Sequence, residues 1–235
     1  LPALPLRGSR LAMSDLAQYI RELTILLVPL LFTITCHEAA HGLAANLLGD
    51  PTAKMAGRVT LNPLRHLDPL GLLIMFIPPH IGWARPVPVD PRYFRNQRTG
   101  MFLVALAGPG ANVLVACLCA AIFHGIIHLP VEDPSSWMVT VLVPLATMAH
   151  AGVYVSLLIA AFNMLPIPPL DGSSILARFL PERLAETFLS LSRYGILLVI
   201  GLLFLGNLVG FSILGTLLFP LVERGAWLLG VSPSF

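Results

Sequence analysis

Residues 30–50, "LLFTITCHEAAHGLAANLLGD", carry His37, Glu38 and His41 in a run that is otherwise uncharged until Asp50. On a helix, residues four apart share one face a turn apart, so both imidazoles can reach a single ion about 2.0–2.1 Å away. Glu38, beside the first histidine, would project next to that ion and could take a proton from a water activated by it. By chance a His-Glu-x-x-His string falls in a chain of this length on the order of one time in a hundred. An unpaired carboxylate near a bilayer centre costs about 2.5–3.5 kcal/mol, so an apolar helix that keeps one has a use for it. The plainer alternative is two core histidines and a satisfied structural glutamate.

A hydrolytic zinc keeps three protein ligands and leaves a fourth position for water, so two histidines need a third partner elsewhere. Asp50 and Asp68 stand near expected helix or interface ends, Glu132 and Asp133 lie in a short turn, and Glu182, Glu186 and Glu223 flank the C-terminal segments. Asp171 differs from these. It follows "FNMLPIPP", whose prolines stop a spanning helix, and it precedes Gly172, which lets the chain turn back into a helix. Irregular backbone at membrane depth survives only where protein or a wet cavity covers it, as an active site does. Helix N-capping is the ordinary alternative for Asp171.

The elements that must position these groups follow from composition. Of 235 residues, 56% are apolar and only 11% charged, against about a quarter charged in an average soluble domain. The chain is therefore expected to be an all-α polytopic membrane protein, with five to six membrane segments and a short re-entrant β-like element after the first helix. That strand-like piece falls near Arg58 to Leu61, in "AGRVTLNP", an edge that could hold an unwound substrate. A net charge of +2 with scattered basic residues excludes a nucleic-acid partner. Cys36, Cys117 and Cys119 sit in apolar runs without ligand spacing and read as small buried hydrophobes.

Residues 1–15 are expected to be a tail, 16–183 a catalytic transmembrane core, and 184–235 the C-terminal membrane segments. Within the core, a helix from about Leu16 to Leu48 precedes a loop broken by Pro51, Gly57 and Pro63. "PLGLLIMFIPPHIGW" is too short to span and reads as re-entrant or interfacial. Met101–Leu129 and Trp137–Leu165 form a helical hairpin. Seven Lys or Arg residues lie between 54 and 98 and none in the turn at 130–136, which places the former side in the cytoplasm. His66 and His80 read as ordinary loop residues, His124 and His128 as an interfacial pair, and His150 as structural. Gly108-Pro109-Gly110 reads as a place where a second helix approaches closely.

"HEAAHG" in an apolar helix, followed by "AGPGAN" and then "NMLPIPPLDG", resembles the site-2 protease family of intramembrane zinc metalloproteases, over about Leu16 to Leu180. The resemblance implies that His37, His41 and Asp171 bind Zn²⁺ and that Glu38 is the general base and acid. It implies that Asn163 positions substrate or stabilises the oxyanion, and Asn112 is similar to a second recurrent asparagine that could do similar work or simply pack helices. The expected activity is hydrolysis of peptide bonds in or near transmembrane segments of membrane proteins, in a bacterial cell membrane, with the site reached from the cytoplasm. The expected partners are a transmembrane protein substrate and the lipid bilayer, and a homo-oligomer is compatible with both. A zinc transporter or an inactive scaffold is the competing reading, against which Glu38 speaks, because neither needs a carboxylate beside its ligands that does not itself bind metal.

Overall fold

Three apolar stretches, each free of charge over most of its length, become the long helices of the protein. A computed structural model describes residues 8–71, 84–130, 137–195, 197, 201 and 213–232. Helix α1 spans Gly8–Leu47, so the expected tail is helical from residue 8. Helix α2 is a single turn, Thr52–Met55; α3 spans Gln97–Ile127 and α4 spans Trp137–Asn163. Short helices α5, Asp171–Ala177, and α6, Glu182–Ser190, precede α7, Ile213–Leu228. Ile20–Leu47, Gln97–Ile127 and Met138–Asn163 are each long and apolar enough to cross a membrane, giving three candidate spans among the described residues. The expected re-entrant piece, which includes His80, the turn holding Glu132 and Asp133, and most of the span expected after Tyr194 lie outside the described residues.

Helices α1, α3 and α4 pack against one another, α7 lies on α4, and α5 lies on α3. The core between them is made mostly of small side chains, among them Val115, Cys119 and Ala120 of α3, Ala146, Ala149 and Val153 of α4, and Ala226 of α7, with Phe123 as its one large ring. Lipid tails give apolar helices no reason to associate, so close backbone approach and interhelical hydrogen bonds do that work. Gly152 shows the closeness: a Cβ there would lie 2.6 Å from Cys119 Sγ and 3.4 Å from Pro29 Cβ. Thr33 Oγ1 and Ser156 Oγ, both fully buried, hydrogen-bond at 2.8 Å between α1 and α4.

Helix α1 stops where Gly49 adopts φ 105°, and the Asp50 N–H donates to the Ala45 carbonyl at 2.9 Å. The chain beyond it folds back over the last turns of α1. A Cβ on Gly42 would touch Ala53, Val59 and Val87 at 3.3–3.4 Å, which places both sides of this cap directly over the residue after His41.

The strand expected at Arg58–Leu61 is absent. Residues 59–61 bend, because Thr60 Oγ1 accepts from the Asn62 N–H and Asn62 Oδ1 from the Leu64 N–H, which starts a 3₁₀ turn over Pro63–Arg65. Those local side-chain bonds compete with a ladder. Among the described residues the β-pairing is one isolated antiparallel bridge, Leu67 to Ala84, and the remaining regular structure is helical.

Candidate metal centre

His37 and His41 lie one turn apart on the face of α1 that meets α3, 6% and 9% exposed. Their Nε2 atoms are 3.0 Å apart, and Asp171 Oδ2 is 3.3 Å from the first and 3.4 Å from the second. Tetrahedral ligands about 2.0–2.1 Å from zinc stand roughly 3.3 Å from one another. The three atoms fit that triangle. Asp171 Oδ2 is buried and makes no hydrogen bond, an unsatisfied acceptor facing two imidazole nitrogens, as a cation site requires.

Backbone geometry brings the three together. Gly108 of α3 lies flat against both rings: a Cβ there would sit 2.4 Å from His41 Nε2, 2.5 Å from its Cε1 and 2.6 Å from His37 Cε1. The His41 Nδ1–H donates to the Val104 carbonyl at 2.7 Å, which holds the ring and leaves Nε2 with its lone pair free for a metal. Asp171 is the first residue of α5, whose cap is Leu170, so its side chain is not spent on capping. Gly172 allows α5 to start against the end of α4, because a Cβ there would collide with the Met164 and Leu165 carbonyl oxygens at 2.2 and 2.3 Å. At the other end of α5, the Arg98 guanidinium from the first turn of α3 donates to the carbonyls of Ala177 at 2.7 Å, Arg178 at 3.2 Å and Leu180. The Ala177 and Arg178 carbonyls are helix-end acceptors with no intrahelical donor.

Residues 25–208 match peptidase family M50. The chain belongs to that family, the site-2 proteases. This M50 peptidase is a zinc metalloprotease with apolar helices of spanning length. It is 34% identical over 174 residues to the "Putative zinc metalloprotease YwhC" of Bacillus subtilis, covering 72% of this chain and 75% of that one. It is 26% identical over 189 residues to the "Putative zinc metalloprotease Rip2" of Mycolicibacterium smegmatis, covering 79% and 68%. Rip2 of Mycobacterium tuberculosis H37Rv is 30% identical over 156 residues, covering 62% of this chain and 53% of that one. No solved structure matches it.

The M50 peptidase places its other expected site residues unevenly. Glu38 is half-buried on α1 and within electrostatic reach of His41. Asn112, fully buried one turn along α3 from Gly108, reaches His37 Nδ1 with its amide nitrogen at 3.1 Å, while its Oδ1 has no partner. Asn163 ends α4, with its amide turned back to donate to the Ile159 carbonyl at 3.0 Å.

Three residues of the cap carry more than their sequence context suggested. Arg58, read as a topology marker, is only 6% exposed and donates to the carbonyls of Arg65, Arg85 and Pro86. It also lies within electrostatic reach of Glu38. His66, read as an ordinary loop residue, is fully buried, with its Nε2–H donating to the Thr60 carbonyl at 2.9 Å. Asp50 is also fully buried and accepts from the Thr52 N–H, the Thr52 hydroxyl and the Asp90 N–H at 2.9, 2.5 and 2.7 Å. For Asp50, expected only to stand near a helix or interface end, the signal that could have found this role is "DPT", the start of an Asx turn.

Proposed function

We propose that the protein is an intramembrane zinc protease that hydrolyses peptide bonds within or near transmembrane segments of membrane proteins. The convergence of His37 Nε2, His41 Nε2 and Asp171 Oδ2 within 3.4 Å of one another, between helices of spanning length, carries this reading. Those three residues would hold the zinc. When bound, it supplies Lewis acidity, acidifying the attacking water and polarising the scissile carbonyl. Glu38 takes the proton of that water and delivers it to the departing amine nitrogen. Asn163 steadies the oxyanion after its amide swings off the Ile159 carbonyl, a kind of contact worth about 3–4 kcal/mol in other hydrolases.

His41 and His37 lie six and ten residues before the end of α1, about 9 and 15 Å at 1.5 Å per residue. With the basic residues at 54–98 favouring the cytoplasmic side for that end of α1, water enters from that side of a bacterial cell membrane. The substrate is a transmembrane protein, which the site can cut only where its helix is unwound.

The test pairs zinc per chain in detergent with cleavage of a transmembrane substrate, for the wild type and Glu38→Gln. The expected variant keeps its zinc and loses cleavage by at least a hundredfold. A wild type that holds zinc and cuts no offered helix would sink the protease reading in favour of zinc transport.

A further inference from the structure

We infer that Asn112 is a positioning residue for the metal: its side-chain oxygen accepts the Nδ1–H of His37 and so presents the His37 Nε2 lone pair to zinc. This rests on the zinc-site reading above and adds the element that fixes one of its ligands.

His41 supplies the rule. A carbonyl oxygen can only accept, so the Val104 contact puts the His41 proton on Nδ1 and leaves Nε2 bare. His37 needs the same tautomer to bind through Nε2, and the group behind its Nδ1 is the Asn112 amide at 3.1 Å. With nitrogen toward the ring, the amide would donate into Nδ1 and force the His37 proton onto Nε2. That proton would point at His41 Nε2 and Asp171 Oδ2, where it excludes a cation. The same orientation leaves the buried Asn112 Oδ1 without any partner. The oxygen and nitrogen of an amide exchange by a half-turn that scarcely changes shape. After that turn Oδ1 accepts from Nδ1–H, the proton leaves Nε2, and His37 and His41 become equivalent ligands.

Burial separates this role from one in substrate binding. Asn112 has no exposed surface, so its amide cannot meet a peptide carbonyl without leaving its place behind His37. Outer partners of this kind, which hold the far nitrogen of a ligating histidine, typically change metal affinity by about 10–100-fold when removed.

The experiment uses the full chain in detergent, stripped of metal and titrated with zinc against a fluorescent chelator, for wild type, Asn112→Asp and Asn112→Leu. Thermal unfolding of the metal-free proteins is recorded alongside. Asn112→Leu, similar in volume and without an acceptor, is expected to weaken zinc about 10–100-fold. Asn112→Asp still accepts from Nδ1–H and is expected to bind zinc at least as well as wild type. Ring ¹⁵N shifts of zinc-loaded wild type are expected to show His37 protonated at Nδ1, a readout that needs neither variant to fold. Zinc binding by Asn112→Leu within twofold of wild type, or a His37 protonated at Nε2, would overturn the assignment. A wild type that binds no zinc would instead remove the site reading on which the assignment stands.

Discussion

Adding one methyl group at Gly108 tests the metal centre at its tightest point. The new Cβ would lie 2.4 and 2.5 Å from two His41 ring atoms and 2.6 Å from one of His37, where ordinary carbon contacts need about 3.5–4.0 Å. The rings cannot step aside, because His41 is tied through Nδ1 to Val104 and His37 abuts Asn112, both on the same helix as Gly108. Helices α1 and α3 must therefore separate by about 1 Å, carrying both histidines away from Asp171. Overpacking of this kind costs about 1–3 kcal/mol, and a 1 Å displacement of reacting groups can cost about a hundredfold in rate. Gly108→Ala is expected to bind zinc at least tenfold more weakly in chelator competition and to cut a transmembrane substrate about a hundredfold more slowly. Gly110→Ala is the control, since a Cβ there meets nothing within 4 Å and should leave both properties unchanged. If Gly108→Ala kept zinc affinity and turnover within twofold of wild type, the close packing of α3 on the two imidazoles would be refuted.

Gly172→Ala drives a Cβ into two backbone carbonyls that cannot rotate away, so it is expected to shift α5, weaken zinc through Asp171 and lower Tm in detergent. Arg98→Ala frees the C-terminal carbonyls of α5 and is expected to weaken zinc about tenfold, with Arg98→Lys in between, measured by the same competition. Burial pushes the Asp50 carboxyl up, but hydrogen bonds from Thr52 and Asp90 outweigh it and hold its pKa below the ordinary carboxylate value. A depressed native pKa stabilises fully above the unfolded value of about 3.9 and loses that contribution as pH falls through the native one. Unfolding scans should therefore show acid lability below about pH 4 that Asp50→Asn lacks, while Asp50→Ala costs about 2 kcal/mol at neutral pH. Thr33→Val removes one interhelical hydrogen bond and is expected to cost only about 0.6 kcal/mol, measured by unfolding in detergent; a loss above 2 kcal/mol would mean the bond matters far more than its kind does elsewhere.

That His37, His41 and Asp171 belong together was legible because their chemistry conflicts with their surroundings. Two imidazoles and a carboxylate in an apolar helix, and an aspartate just past a proline-broken span, are each costly unless used together. The hairpin of α3 and α4 was legible from hydropathy, with ends shifted by a few residues because Asn96 caps α3 ahead of the apolar run by accepting from the Thr99 N–H. The cap was not legible. Its order comes from single side chains bonding carbonyls far along the chain, such as Arg58 to Arg85 and Pro86, and no periodicity reports such contacts. The β-branched residues near Arg58 suggested a strand, but the Asn62-Pro63 turn decided the local structure.

Helix α3 supplies none of the three converging atoms, yet it touches the support of every one. Val104, Gly108 and Asn112 are spaced by four and lie on one face. The first holds His41 from behind, the second sets the depth of both rings, and the third stands behind His37. Arg98, near the start of the same helix, clamps the element that carries Asp171. The distances within the triangle are thus set by one helix, α3, as well as by the two elements that carry its three atoms. Substitutions along α3 should follow that face: changes at 108 and 112 alter metal affinity, changes at the exposed 103, 110 and 114 do not, and Val104, which acts through its carbonyl, tolerates another helix former of similar size. "AGPGAN" shows two of the three members. The third, a backbone carbonyl, has no side-chain signature, so only the packed structure reveals that the sequence also had to place a helical turn there.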